Sequence, residues 1–363
     1  MSFSSVGWYE FGTEREYPSY KWMELARSAD FLCRKVMEIQ PKENVVILAD
    51  SATDSRVVHA TAAAAHTIGA KVTVLWSDTK GDVDLPPHEP IEAAVLAADI
   101  VVQYSVAYLD HSKMWSKASE KGVSMLTLTG LNADNMVRTI NPDFHSKMME
   151  FGEAYRAAAM KGKRDGRVQS QAGTDFTFKF WTLEEIEERA KRRRTTGKPP
   201  RGVSGLPGYG FLNAKPSTLN GTMVFDGSFW PTSEAGLLKE PIEMKVKEGM
   251  VTDIVSDHLQ ARIVKNWFTH FHDPDVYQIL HVSTGWNPGV KRITGGIDED
   301  ERFFGGITIG MGVSNPEKAC HTDGIIVSPS IWIDDELIEK DGIFVEPTLK
   351  RLAKGLGMQL WTD

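Results

Sequence analysis

Two cysteines, Cys33 and Cys320, are all that the 363 residues contain, and no CxxC pair is present. Neither a disulfide framework nor a zinc ribbon can therefore hold this chain together. No apolar run approaches the roughly 20 residues of a membrane span, and the opening MSFSSVGWYEFGTEREY has neither a basic nor an apolar leader region. An excess of positive charge is missing as well: 41 Lys and Arg stand against 49 Asp and Glu, a net charge of -8. Nucleic-acid grooves and anionic membrane surfaces need a basic field, so neither partner is expected. Also absent, after the first strand-like run, are GxGxxG and GxxxxGK[ST], the phosphate cradles of nucleotide cofactors. These absences predict a cytoplasmic protein without a nucleotide.

What is present is the composition of an ordinary globule, 41% apolar and 25% charged, too long for one core to be the default. Its first 165 residues alternate β-branched runs of strand length with helical spacings. NVVILAD (44–50), KVTVLW (71–76), DIVVQYSV (99–106) and VSMLTLTG (123–130) are separated by SRVVHATAAAAHTIGA, PIEAAVLAA and HSKMWSKASEKG. That order predicts an α/β domain over 1–165 with a mostly parallel sheet, whose functional loops follow the carboxyl ends of the strands. After TLEEIEERAKRRRTTGKPPRG (182–202), a charged helix laced with ion pairs, the chain turns strand-rich. GTMVFDGSFW, PIEMKVKEGMVTDIVS, VYQILHVSTGW, FGGITIGMGVS and GIIVSPSIWIDDELIEKDGIF predict a strand-rich antiparallel α+β domain over 166–363, with a helix over HLQARIVKNWFTHF.

Three places stand out among the ten histidines. His111 follows the third predicted strand. His281 ends the apolar run VYQIL. His321 and Asp323 open the strand IIVSPSIWI, and residues two apart on a strand share a face with Cα atoms roughly 6.5 Å apart. Both can reach one ion. A second imidazole from a neighbouring strand would complete two histidines and a carboxylate on one side of a metal, the arrangement of non-haem Fe(II) oxygenases. The alternative is a set of buried, hydrogen-bonded polar residues. The HxH pair His270 and His272 fits a loop better than a ligand set. Trp286 and Thr308 are candidate walls of a substrate pocket, although a tryptophan in a glycine turn serves equally as a packing anchor.

DPDVYQILHVSTGWNPGVKR (273–292), GGITIGMGVS (305–314) and CHTDGIIVSPSIWIDD (320–335), in this order, resemble the carboxyl-terminal half of the 2,5-dihydroxypyridine 5,6-dioxygenases. QAGTDFTF (171–178) and GTMVFDGS (221–228) resemble further segments of that family, which shares a superfamily with the aminopeptidase T type metallo-aminopeptidases. The resemblance implies an Fe(2+) enzyme that opens a hydroxylated aromatic ring with O2, with His281, His321 and Asp323 as iron ligands and His111 as acid or base. It also implies a homo-oligomer. The peptidase branch supplies the competing reading, a metal-dependent hydrolase of peptides or amides, but its second metal lacks ligands here, since FGGITIGMG holds no histidine. One departure bears on the substrate: the family's pyridine-binding acid and histidine belong to an interval that in this chain is the charged helix, with Glu184 and Glu185 as replacement acids and no histidine.

Overall fold

The computed structural model describes residues 21–79, 87–106, 109, 112–192, 205–230, 235–313 and 320–358. A helix, α1 (Trp22–Phe31), leads into β1 (Asn44–Asp50), α2 (Ser55–Ile68), β2 (Lys71–Ser77), α3 (Glu89–Leu96), β3 (Ile100–Gln103), α4 (Lys113–Glu120), β4 (Ser124–Thr127) and α5 (Ala133–Thr139). The strands form one parallel sheet in the order β2-β1-β3-β4. The unbroken apolar run of β1 has a simple cause. Val45, Ile47 and Ala49 enter one hydrophobic cluster while Val46 and Leu48 enter another, because helices cover both faces of the sheet. Local chemistry sets the helix ends: Asp54 caps α2 by accepting from the Arg56 amide, and Gly69 closes it at φ +94°.

The long helix α6 (Pro142–Ala159) starts from an Asn141 cap with Pro142 in its first turn. Met148, Phe151 and Tyr155 on its buried face pack with the second unit's core. The predicted division at 165 therefore lies one helix beyond the point where core membership changes. Two antiparallel sheets make up that second unit, built from β5 (Asp165–Ser170), β6 (Asp175–Lys179), β7 (Tyr209–Phe211), β8 (Asn220–Phe225), β9 (Ser228–Phe229), β10 (Gly236–Leu237), β11 (Ile242–Lys247), β12 (Met250–Ile254), β13 (Ile279–Gly285), β14 (Ile307–Val313), β15 (Cys320–Ile326), β16 (Pro329–Ile333), β17 (Glu336–Lys340) and β18 (Ile343–Phe344). One sheet runs β10-β9-β15-β14-β13-β7 and the other β12-β11-β8-β6-β5-β16-β17-β18. Their shared core includes Ile307, Ile309 and Met311 from the first sheet and Val168, Phe176 and Met244 from the second. The charged helix spans Leu183–Arg192, the remainder of its predicted range lying outside the described residues. No helix among the described residues is long and apolar enough to cross a membrane.

The two units meet through polar contacts on the loop after β13. Asn287, fully buried, donates through its amide to the carbonyls of Thr139 (3.1 Å) and Pro207 (2.8 Å) and accepts from the Gly289 amide (2.8 Å). Arg138 donates to the Gly289 carbonyl (2.7 Å) and pairs with Glu299 at 2.6 Å. Buried polar groups stripped of a partner carry their full desolvation penalty. Asn287→Ala is accordingly expected to destabilise the protein by about 2–4 kcal/mol, read as a lowered urea midpoint; an unchanged midpoint would show that Asn287 does not tie the units together.

Candidate metal centre

Strand β14 lies between β13 and β15, and its register decides what meets across it. Gly310 pairs with His281 on one side and with Asp323 on the other, while Gly312 pairs with His321. Alternation along β14 sends Ile307, Ile309 and Met311 into the core and leaves Thr308, Gly310 and Gly312 on the opposite face. His281, Ser283, His321 and Asp323 share that opposite face by the same pairing. A bulge in β13 makes this possible. Ile279 pairs with Met311 and His281 with Gly310, so the extra residue Leu280 lets Ile279 face the core although it stands two positions from His281.

Neighbouring strands are about 4.8 Å apart, so β13 and β15 are separated by about 10 Å. A side chain on the strand between them would block contact, and Gly310 has none. A Cβ built there would lie 2.1 Å from Nε2 of His281. The His281 ring thus crosses directly over Gly310, and its Nε2 arrives 3.4 Å from Nε2 of His321 and 3.4 Å from Oδ1 of Asp323. Nε2 of His321 is 3.0 Å from Oδ2 of Asp323.

Two imidazole nitrogens and the two oxygens of one carboxylate stand at these separations, and one atom from each residue can reach a common ion. With bonds of roughly 2.1 Å, adjacent ligands are about 3.0 Å apart in an octahedron and about 3.4 Å apart in a tetrahedron. His321 and Asp323 are each only 5% exposed, and Oδ1 of Asp323 makes no hydrogen bond among the described residues. Burial pushes the Asp323 carboxyl up to about 6, against the opposing pull of His281 and Arg302, and lowers His321 to about 4. At neutral pH this leaves His321 neutral and Asp323 ionised, the forms that ligate metals. A buried carboxylate without full hydrogen bonding is costly, and a cation at the common point would compensate that cost. Among the described residues this is the one such trio, and His270 and His272 belong to none.

Aromatic and charged side chains extend the site from His281. The Phe211 ring, on the edge strand β7, meets the His281 ring edge-on at 5.5 Å and the Tyr209 ring at 5.9 Å. Arg302 stacks its guanidinium 4.2 Å from the centre of the Tyr209 ring, and its charge lowers Asp323. Ser283 and Thr308, both buried, sit opposite each other on the ligand face.

The other candidates fall elsewhere. Trp286 continues the opposite parity of β13. Its indole packs on Phe151 and Tyr155 of α6 (5.8 and 4.9 Å) and lines a cavity of about 480 Å³ that none of the three ligands touches. It packs there against α6, and Tyr209 and Phe211 line the same cavity. Cys320 likewise turns into the core, its back to His321. Glu185 accepts from the Thr182 amide in a capping box and pairs with Lys215 at 2.6 Å. His111 lies outside the described residues. Sequence reasoning passed over Gly310, Leu280, Phe211 and Arg302. Only the first left a trace, two glycines at alternate positions of an otherwise apolar strand, ITIGMGV.

Comparison with known proteins identifies a family and a shared fold. A family model described as 2,5-dihydroxypyridine 5,6-dioxygenase matches residues 26–346. A 2,5-dihydroxypyridine 5,6-dioxygenase of Pseudomonas putida is 24% identical over 344 residues, covering 87% of this chain and 95% of the relative. The solved structure of 2,5-dihydroxypyridine dioxygenase from Pseudomonas putida KT2440 superposes with a TM-score of 0.70 at 20% identity, covering 90% of this chain and 98% of that one. Wild-type AmpT from Thermus thermophilus superposes with a TM-score of 0.63 at 12% identity, covering 90% and 100%. Both structures share the fold.

Two substitutions test the centre. Gly310→Ala is expected to displace the His281 ring and weaken metal affinity by roughly 10–100-fold, the range typical of disturbed ligand orientation, with far-UV circular dichroism unchanged. His321→Ala should abolish metal retention with the fold intact; undiminished metal content in purified protein would remove His321 from the ligand set.

Proposed function

Because the chain belongs to the 2,5-dihydroxypyridine 5,6-dioxygenase family, we propose that it is an Fe(II)-dependent dioxygenase that opens the ring of a hydroxylated aromatic, of the 2,5-dihydroxypyridine type, between two ring carbons. The observation that carries this reading is the convergence of His281, His321 and Asp323 from β13 and β15 at 3.0–3.4 Å, all from one side. Ferrous iron, if held by these two imidazoles and the carboxylate, would supply the redox chemistry that joins dioxygen to a hydroxylated ring.

The chain's own residues supply the rest. His281, His321 and Asp323 fix the ion against the sheet, and burial of the latter two keeps bulk water from competing for it. Phe211, 57% exposed and edge-on to His281, offers an aromatic flank for a planar substrate. The hydroxyls of Ser283 and Thr308, one alternation from Gly310 on the ligand face, provide hydrogen-bonding groups in reach of the same space. On the family resemblance, His111 takes the phenolic proton, a role suited to an imidazole and to the loop after the third strand of an open sheet.

The hydrolase reading has less support. A second metal would need further ligands near the first. Thr308 and Gly310 occupy the ligand face of β14, and no second trio converges among the described residues.

Anaerobic purification followed by metal analysis and an oxygen-electrode trace separates the alternatives. Ferrous iron with uptake of one O2 per molecule of 2,5-dihydroxypyridine or a related ring is expected. Amide or peptide cleavage without oxygen would replace the reading with a hydrolase. Protein that neither holds metal nor turns over would make it a binding protein.

A further inference from the structure

The cavity of about 480 Å³ beside Trp286 lies between α6 and the segment 205–213, and none of the three metal ligands lines it. Gly152, Arg156 and Met160 follow one another every four residues, so they share the face of α6 and its C-cap that is turned to this space. Trp286 forms a buried wall. A Cβ on Gly152 would stand 3.0 Å from its indole, and a Cβ on Gly210 of β7 would stand 2.5 Å from it. Bare backbone on two separate elements thus grips the ring, and the wall is formed before any ligand arrives.

The lining is otherwise mostly apolar. Met148, Met149 and Met160 supply flexible thioethers, which pack adaptably against aromatic rings. Arg156 is the charged group. Its side chain is exposed, which puts it at the rim, and it makes no hydrogen bond or ion pair among the described residues, although Glu153 stands one helical turn back. No carboxylate and no second cation line the cavity among the described residues. A pre-formed apolar space with a single charged group to fix orientation is the usual make-up of a small-molecule site, and this volume falls within the usual range of roughly 300–1,000 Å³.

We propose that this cavity is a second ligand site, separate from the metal centre, and that it takes an aromatic monocarboxylate, with the flat ring against Trp286 and the methionines and the carboxylate on the Arg156 guanidinium. The planar fork of an arginine matches the two oxygens of a carboxylate and donates to both at once. One guanidinium without a second cation suits a monoanion better than a phosphate dianion. The ring of the ligand meets indole and thioether surfaces, both favourable partners for an aromatic face. Phe211 stands between the two sites, lining this cavity while its ring meets His281 edge-on at 5.5 Å. Neither the ion nor the reaction at the metal centre enters into the recognition.

The test is titration calorimetry with 2-naphthoate and its neutral counterpart 2-naphthamide, on metal-loaded protein and again on metal-free protein whose fold is checked by far-UV circular dichroism. The wild type is expected to bind one naphthoate per chain and to prefer it over the amide by about fivefold to tenfold, the modest range of an exposed but bidentate ion pair. Metal is expected to make no difference. Arg156→Ala, at an exposed position without partners, is expected to keep the fold and the affinity for the amide while the preference falls to within about twofold of unity. A wild type that does not bind naphthoate overturns the proposal, as does a ratio that Arg156→Ala leaves intact. Binding that vanishes from folded metal-free protein overturns it too, since naphthoate would then sit on the ion.

Discussion

The site depends on an atom that is missing. Between the strand that carries His281 and the strand that carries His321 and Asp323 runs a third, and at the crossing point it offers Gly310. Because a Cβ there would stand 2.1 Å from the imidazole, the bare backbone is what lets side chains on non-adjacent strands share an ion. Glycine weakens a strand interior through entropy and lost packing. Here that loss is offset on the other face, where Ile307, Ile309 and Met311 of the same strand are fully buried. One strand thus does two jobs by alternation, anchoring the sheet with its odd positions and clearing space with its even ones.

Charge follows from that geometry. Two imidazoles and a carboxylate drawn together, with His321 and Asp323 at 5% exposure, would be an expensive cluster in a protein interior without a cation. Burial raises the Asp323 carboxyl, and the charges of His281 and of Arg302, itself held by Tyr209 and the Leu206 carbonyl, oppose that rise. Asp298, Arg302 and the Thr129 amide lie where the parallel sheet's loop meets the antiparallel unit. The seam between the units therefore passes beside the metal centre, and Asn287 and Arg138 fasten it a short way along the same loop. Family membership accounts for the fold.

Much of the architecture was readable in one dimension. Both-face burial makes β1 a continuous apolar run, and the predicted span 44–50 coincides with the observed Asn44–Asp50. HxD spacing put His321 and Asp323 on one face, as the strand delivers them. Trp286 lines a cavity, as its glycine-turn setting suggests, but the parity of β13, which also turns its indole onto α6, was not visible in the sequence. The bulge at Leu280 was equally silent, since an added residue changes facing without any compositional mark.

Local periodicity, turn chemistry and charge, then, were enough to state two units, a parallel and an antiparallel sheet, and the residue types able to grip a metal, because each is set by near neighbours along the chain. Which strand separates His281 from the HxD pair, which glycine lets the ring cross it, and where β13 takes its bulge were decided only by tertiary structure. Those outcomes depend on the register of strands far apart in sequence, and register is fixed by the whole buried face rather than by any one segment.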